Sequence, residues 1–372
     1  MSSSASLVRI LRHPIASAEA RESTALLVGA VAFVAGVVPG ILIFWGRELP
    51  ISGRGSVGDF AAVGSAIAAL LAFLYGSLLR RAHHGVARRW RRLTWYDIAA
   101  LCLAHAIIAM LGWVGLAAVF SASLEGALLY ATAAAAIAGA IMAITAYAAF
   151  LSAVNLTPML LSLVLAVFLA VGTLASMLSA SDPLWWQENL STLGINDDIS
   201  SLAFNLTLII AGVMVTTIAH YATAWLPTST PREVRGRTLV RAALILMGIL
   251  LACVGLLPVD DYFTLHGMSA SGMALIYVVM VIALRALVPS MPRVFILLGY
   301  VFVGVIVMLA AFYITGYYNL TAVELVAFIL IFSWLVLFLR SAGSMDSPQE
   351  NDGGADDRLE PANGRDMGSA EN

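Results

Sequence analysis

Apolar runs of about 20 residues recur ten times along the 372-residue chain. A helix of that length rises about 1.5 Å per residue and so crosses the roughly 30 Å hydrocarbon core of a bilayer. The runs lie near 25–46, 58–79, 98–120, 126–149, 157–180, 200–225, 238–258, 265–287, 294–316 and 320–340. Each is read as a membrane span, and the expected fold class is all-α: a polytopic transmembrane helix bundle of about ten spans. The first run is full length, with no short apolar core and no clear cleavage site after it, so it reads as a permanent span.

Composition agrees. Apolar residues make up 61% of the chain and charged residues 11%, against roughly 45–50% apolar in ordinary soluble domains. All 20 basic residues are arginine. No phosphate-loop lysine and no Schiff-base lysine can exist in such a chain, which excludes two broad classes of chemistry. The arginine bias suits a GC-rich, bacterial genome. Cys102 and Cys253 fall in different spans and read as small buried apolar residues, without a disulfide.

Arginine placement sets the expected orientation. Residues 80–92 and 232–241 carry six and four arginines, and Arg285 and Arg293 flank the link between the eighth and ninth spans. Counting connections alternately puts these segments and both termini on one side. The positive-inside rule makes that side cytoplasmic, in a plasma membrane. Segment 80–92 reads as a topology anchor beside anionic lipid headgroups, not as a nucleic-acid surface. The other side holds two arginines against ten carboxylates, a field that concentrates cations without being a site in itself. Residues 341–372 are polar, acidic and poor in aromatics, as a solvated cytoplasmic tail would be.

An echo runs through the spans. Ser52, Gly55 and Asp59 align with Ser191, Gly194 and Asp198, and the VGL at 114–116 aligns with the VGL at 254–256. The expected organisation is a short N-terminal segment (1–24), a first four-span repeat (25–150), a second repeat followed by two extra helices (151–340), and the tail. An even number of spans per copy makes the repeat parallel. In each copy an aspartate then stands at a helix entrance, where it accepts hydrogen bonds from unpartnered amides and opposes the positive end of the helix dipole.

The second copy is chemically richer. Ser191, Asp197, Asp198 and Asn205 gather near its first acidic turn, and Asp260, Asp261 and His266 near the next, together forming the candidate substrate-binding set. His266 by itself reads as an interfacial hydrogen-bonding group; were it a catalytic base, Asp260 or Asp261 would orient its imidazole. STLG at 191–194, the Phe204–Asn205 pair, LLPVDD at 256–261 and His266 resemble the membrane family called domain of unknown function 998, over roughly residues 157–340. That resemblance implies a polytopic bacterial membrane protein and no established reaction. No metal-binding motif is present, so no metal and no cofactor are expected. His105, deep in the third span, reads as an interhelical hydrogen-bonding group. The Ala- and Gly-rich fourth span is expected to pack centrally.

These features point to a membrane protein that binds or moves a small solute or lipid-like molecule through an outer polar vestibule, with membrane lipid as its standing partner. No Asp, Glu or Arg sits mid-span, which argues against ion-coupled transport. A lipid-modifying enzyme built on His266 and its neighbouring carboxylates, or an envelope scaffold, are the alternatives. No nucleophile motif is recognisable, so the enzyme reading is the weaker one.

Overall fold

The computed structural model describes residues 14–82, 94–195 and 199–344. It contains ten helices long and apolar enough to cross a membrane: α1 (Ala18–Phe44), α2 (Val57–Ala82), α3 (Trp95–Ser123), α4 (Ala131–Val154), α5 (Pro158–Ser179), α6 (Ile199–Ala222), α7 (Pro231–Leu256), α8 (Phe263–Leu287), α9 (Arg293–Ile314) and α10 (Leu320–Ser344). The protein is an all-α, multi-pass membrane protein. The arginine-rich segment 83–93, residues 196–198 (including Asp197 and Asp198) and the tail beyond Ser344 lie outside the described residues.

Several helices begin before the apolar runs do, because polar caps set their starts. Ser17 accepts from the Ala20 amide ahead of α1. Thr94 with Asp97, and Thr230 with Glu233, form reciprocal capping boxes ahead of α3 and α7. Each box satisfies two amides that have no partner within the helix. The arginines of 232–241 therefore ride on the first turns of α7 and not in a loop, and Arg241 donates through Nε to the Thr223 hydroxyl at 2.8 Å. The fourth helix starts later than expected, since Leu128–Tyr130 (β2) pairs antiparallel with Glu48–Pro50 (β1) to tie two connections together.

Small residues set the packing. In the first four helices α4 lies between α1 and α2, and its buried face is almost entirely alanine and glycine with Met142 and Phe150. A Cβ on Gly36 would stand 2.8 Å from the Gly139 Cα, so these backbones meet directly. In the other half α6 packs against α5 and α7, α7 against α8, and α10 against α5 and α9. The two quartets share a close pairing of their second and third helices. They differ elsewhere: α1 barely touches α2, whereas α5 packs along α6. The sequence echo thus does not extend to the whole helix arrangement.

The halves join where α3 meets α5 and α6. Asp97 is buried there. It accepts from the Thr94 amide at 2.8 Å and from the Thr217 hydroxyl of α6 at 2.6 Å. One carboxylate therefore both caps α3 and fastens it to α6. Replacing Asp97 with alanine removes both, and is expected to cost about 1–3 kcal/mol. The melting temperature of the detergent-solubilised protein reads the effect. A wild-type value for Asp97→Ala would mean that the seam does not depend on this carboxylate.

Candidate functional site

Between α5 and α6 the chain folds into two short 3₁₀ turns, Trp185–Gln187 and Leu190–Gly194. Leu190, Leu193 and Gly194 are buried, so the backbone polar groups of this segment need protein partners. Two helices supply them, and a third holds a side chain of the segment. From α6, Asn205 donates through Nδ2 to the Gly194 carbonyl at 3.0 Å. A side chain at Gly194 would collide with Asn205, its Cβ lying 2.6 Å from Oδ1, which accounts for glycine at that position. From α10, Glu324 accepts from the Leu190 amide at 2.6 Å. Asn319 caps the same helix through Oδ1 while Nδ2 donates to the Trp186 carbonyl at 2.8 Å.

The third contribution is His266, buried in the first turns of α8. Its Nδ1 lies 2.7 Å from the Leu257 carbonyl and its Nε2 lies 3.0 Å from the Ser191 hydroxyl. A carbonyl can only accept, so Nδ1 carries the proton and Nε2 accepts from Ser191. The Leu257 carbonyl is one of the groups left unpaired at the end of α7. Asp260 and Asp261 are exposed on the α7–α8 turn. The expectation that one of them orients the imidazole is therefore corrected: a backbone carbonyl does so, and it leaves no trace in a sequence.

Of the seven candidate residues, Ser191 and His266 touch, Asn205 holds the same segment three residues on, Asp260 and Asp261 face away, and Asp197 and Asp198 fall outside the described residues. Glu324 and Asn319 were missed. The signal for Glu324 was its position as a lone carboxylate inside the first turns of an apolar span. Among the described residues no group of three or more His, Cys, Asp or Glu side chains is placed to hold a metal ion. At the start of α2 the helix amide is capped by Ser56, which accepts from the Asp59 amide at 3.0 Å, while Asp59 accepts from the Gly55 amide ahead of the helix at 3.1 Å.

A second polar cluster lies within the bundle. The helices α3, α4 and α5 border an open cleft of about 520 Å³, lined mainly by Ile108, Leu116, Ile144, Leu163 and Val167. Two side-chain pairs bridge it from α3 to α4. His105 lies 2.9 Å by Nε2 from the Ser152 hydroxyl and 2.8 Å by Nδ1 from the Leu101 carbonyl. Trp113 donates to the Thr145 hydroxyl at 2.9 Å, and Thr145 donates on to the Ile141 carbonyl. By the same logic as at His266, the His105 Nδ1 carries the proton and Nε2 accepts from Ser152. The Phe73 ring packs against the imidazole, with centroids 4.3 Å apart.

The family described as "Protein of unknown function (DUF998)" matches residues 163–341, in agreement with the resemblance seen in the sequence. Just under half of the chain is thus similar to that family, a stretch that takes in α5 almost from its start and runs through α10. No curated protein and no solved structure matches the chain. The whole Ser191–His266–Asn205–Glu324 cluster lies within the matched stretch. The cleft straddles its boundary, with His105 and Ser152 before it and Leu163, Val164 and Val167 inside it.

Proposed function

We propose that the protein binds a lipid-like molecule, or passes one along, through the cleft between α3, α4 and α5. The observation that carries this reading is an open cleft of about 520 Å³ lined mostly by apolar side chains and bearing two polar pairs that join α3 to α4. That combination suits an amphiphile: apolar lining buries a chain, and a few fixed polar groups orient an ester, amide or hydroxyl. In this reading the arginine-rich helix ends face the cytoplasm of a bacterial plasma membrane and the Trp185–Gly194 segment lies on the outer side. A first unit of residues 25–150 and a family-like unit of residues 151–340 share the cleft. The outer cluster holds the Trp185–Gly194 segment in place, and ligand enters the cleft sideways from the bilayer.

Gly112 gives a clean test, because it lines the cleft and a Cβ placed on it meets nothing within 4 Å. Gly112→Leu should fill the cavity without disturbing the fold. A photoactivatable phospholipid, incorporated with the purified protein in vesicles, should cross-link to cleft residues of the wild type, and Gly112→Leu should lower that yield by roughly tenfold, as expected for about 1.4 kcal/mol of lost binding. Equal cross-linking of both proteins, at equal melting temperature, would remove the cleft from consideration.

A further inference from the structure

The Ser152–His105 pair has the proton arrangement of a nucleophile and its base. Nucleophilic serine chemistry needs a hydroxyl hydrogen-bonded to an imidazole nitrogen free to accept a proton, and a group on the other nitrogen to fix the tautomer. Ser152 Oγ stands 2.9 Å from Nε2, and the Leu101 carbonyl holds Nδ1–H at 2.8 Å. A backbone carbonyl thereby takes the place that a carboxylate fills in a Ser-His-Asp triad. Ser191 and His266 share this geometry, but their ring is buried beneath the packed 3₁₀ segment. The Ser152–His105 pair instead lines the open cleft.

Depth favours an ester. The last residue of α4 is Val154, and Asn155 and Thr157 of the short α4–α5 link are exposed. Ser152 therefore lies about 3 Å along the helix axis from the end of α4, at 1.5 Å per residue. In the lipid-binding reading a helix end of this kind falls near the polar interface of the bilayer, where the acyl esters of a glycerolipid meet their chains. The exposed link also gives water a short approach.

We propose that Ser152 is a base-activated nucleophile that takes an acyl group from a glycerolipid ester lying in the cleft. This step rests on the lipid-binding reading above. Ser152 Oγ bonds to the ester carbonyl carbon while its proton passes to His105 Nε2. The ester C–O bond then breaks, and the same proton goes to the departing glycerol oxygen. Water next attacks the acyl-serine, giving its proton to Nε2, and fatty acid leaves as Ser152 recovers its hydrogen. The neighbouring polar hydrogens, on Trp113 and Thr145, are already donated within the protein. The expected reaction is accordingly slow, and covalent capture is a better readout than turnover.

The test uses the full-length protein in lipid vesicles with a long-chain alkyl fluorophosphonate, whose phosphorus forms a bond to an activated serine oxygen as fluoride leaves. Peptide mass spectrometry should place the phosphonyl group on Ser152 of the wild type, a result that depends on no variant. Ser152→Ala should abolish the adduct, and His105→Gln should slow its formation by about a hundredfold, in line with loss of a general base. Melting temperatures of both variants guard against misfolding. Absence of the adduct while the photoactivatable phospholipid still marks the cleft would overturn the nucleophile and leave lipid binding standing. Absence of both signals would overturn both. An adduct on Ser152 that forms equally fast in a folded His105→Gln protein would show a reactive hydroxyl without a base, and would also overturn the proposal.

Discussion

Replacing Gly248 with valine is expected to destabilise the protein by about 3 kcal/mol, at the upper end of what overpacking a tight interface usually costs. Gly248 of α7 and Gly212 of α6 face each other across the helix pair. A Cβ on Gly212 would lie 2.4 Å from the Gly248 carbonyl oxygen, and a Cβ on Gly248 would lie 2.6 Å from the Gly212 carbonyl oxygen. Both obstructions are backbone atoms, so no side chain can rotate away and the helices themselves must separate. Inside a membrane there is little hydrophobic driving force between helices, and close backbone contact supplies much of the attraction. Separation forfeits that contact along the whole crossing. Gly115→Ala on α3 and Gly304→Ala on α9 are the controls, since a Cβ at either meets nothing within 4 Å. They should be neutral or gain about 0.5–1 kcal/mol from better helix propensity. A Gly248→Val protein that melts with the wild type would mean that α6 and α7 do not cross at these glycines.

Most of the fold is legible in the sequence because one physical requirement, apolar side chains across a bilayer thickness, is repeated without interruption. Helix starts were less so. Thr94-x-x-Asp97 and Thr230-x-x-Glu233 have the spacing of capping boxes, but each stands ahead of the apolar run that marks its helix. The three-residue strands Glu48–Pro50 and Leu128–Tyr130 are too short to show an alternating pattern. At the site, type and depth were readable but partnership was not. His105 and His266 stood out as imidazoles at or inside apolar spans. Their partners Ser152 and Ser191 lie 47 and 75 residues away in sequence, and only the helix packing brings them together. The exposed pair Asp260 and Asp261 attracted notice by charge, while the group that orients His266 is a carbonyl common to every residue type.

Replacing His266 with alanine should loosen the Trp185–Gly194 segment and lower stability by about 2–3 kcal/mol, since a buried acceptor loses its donor and a packed ring is removed. The Leu257 carbonyl would be left facing a void, and Ser191 would lose the nitrogen it donates to. Asn205 and Glu324 would still hold Gly194 and Leu190, so the expected change is local opening, not global unfolding. Amide hydrogen exchange reads it directly: protection should fall across Leu190–Gly194, including the Leu190 amide that donates to Glu324, and stay unchanged across α1 and α4. Glu324→Gln combined with His266→Ala should cost less than the two separate changes added together, because each bond restricts the same ten-residue segment that the other needs in place, so either change alone already weakens both. Asp260→Asn and Asp261→Asn should leave both exchange and melting at wild-type values, since neither side chain reaches the ring. If either of these two variants reproduced the His266→Ala pattern, a carboxylate and not the Leu257 carbonyl would be holding the imidazole. The tautomer assigned to His266 would then have lost its basis, because a carboxylate on Nδ1 would also stabilise the doubly protonated ring, which cannot accept from Ser191.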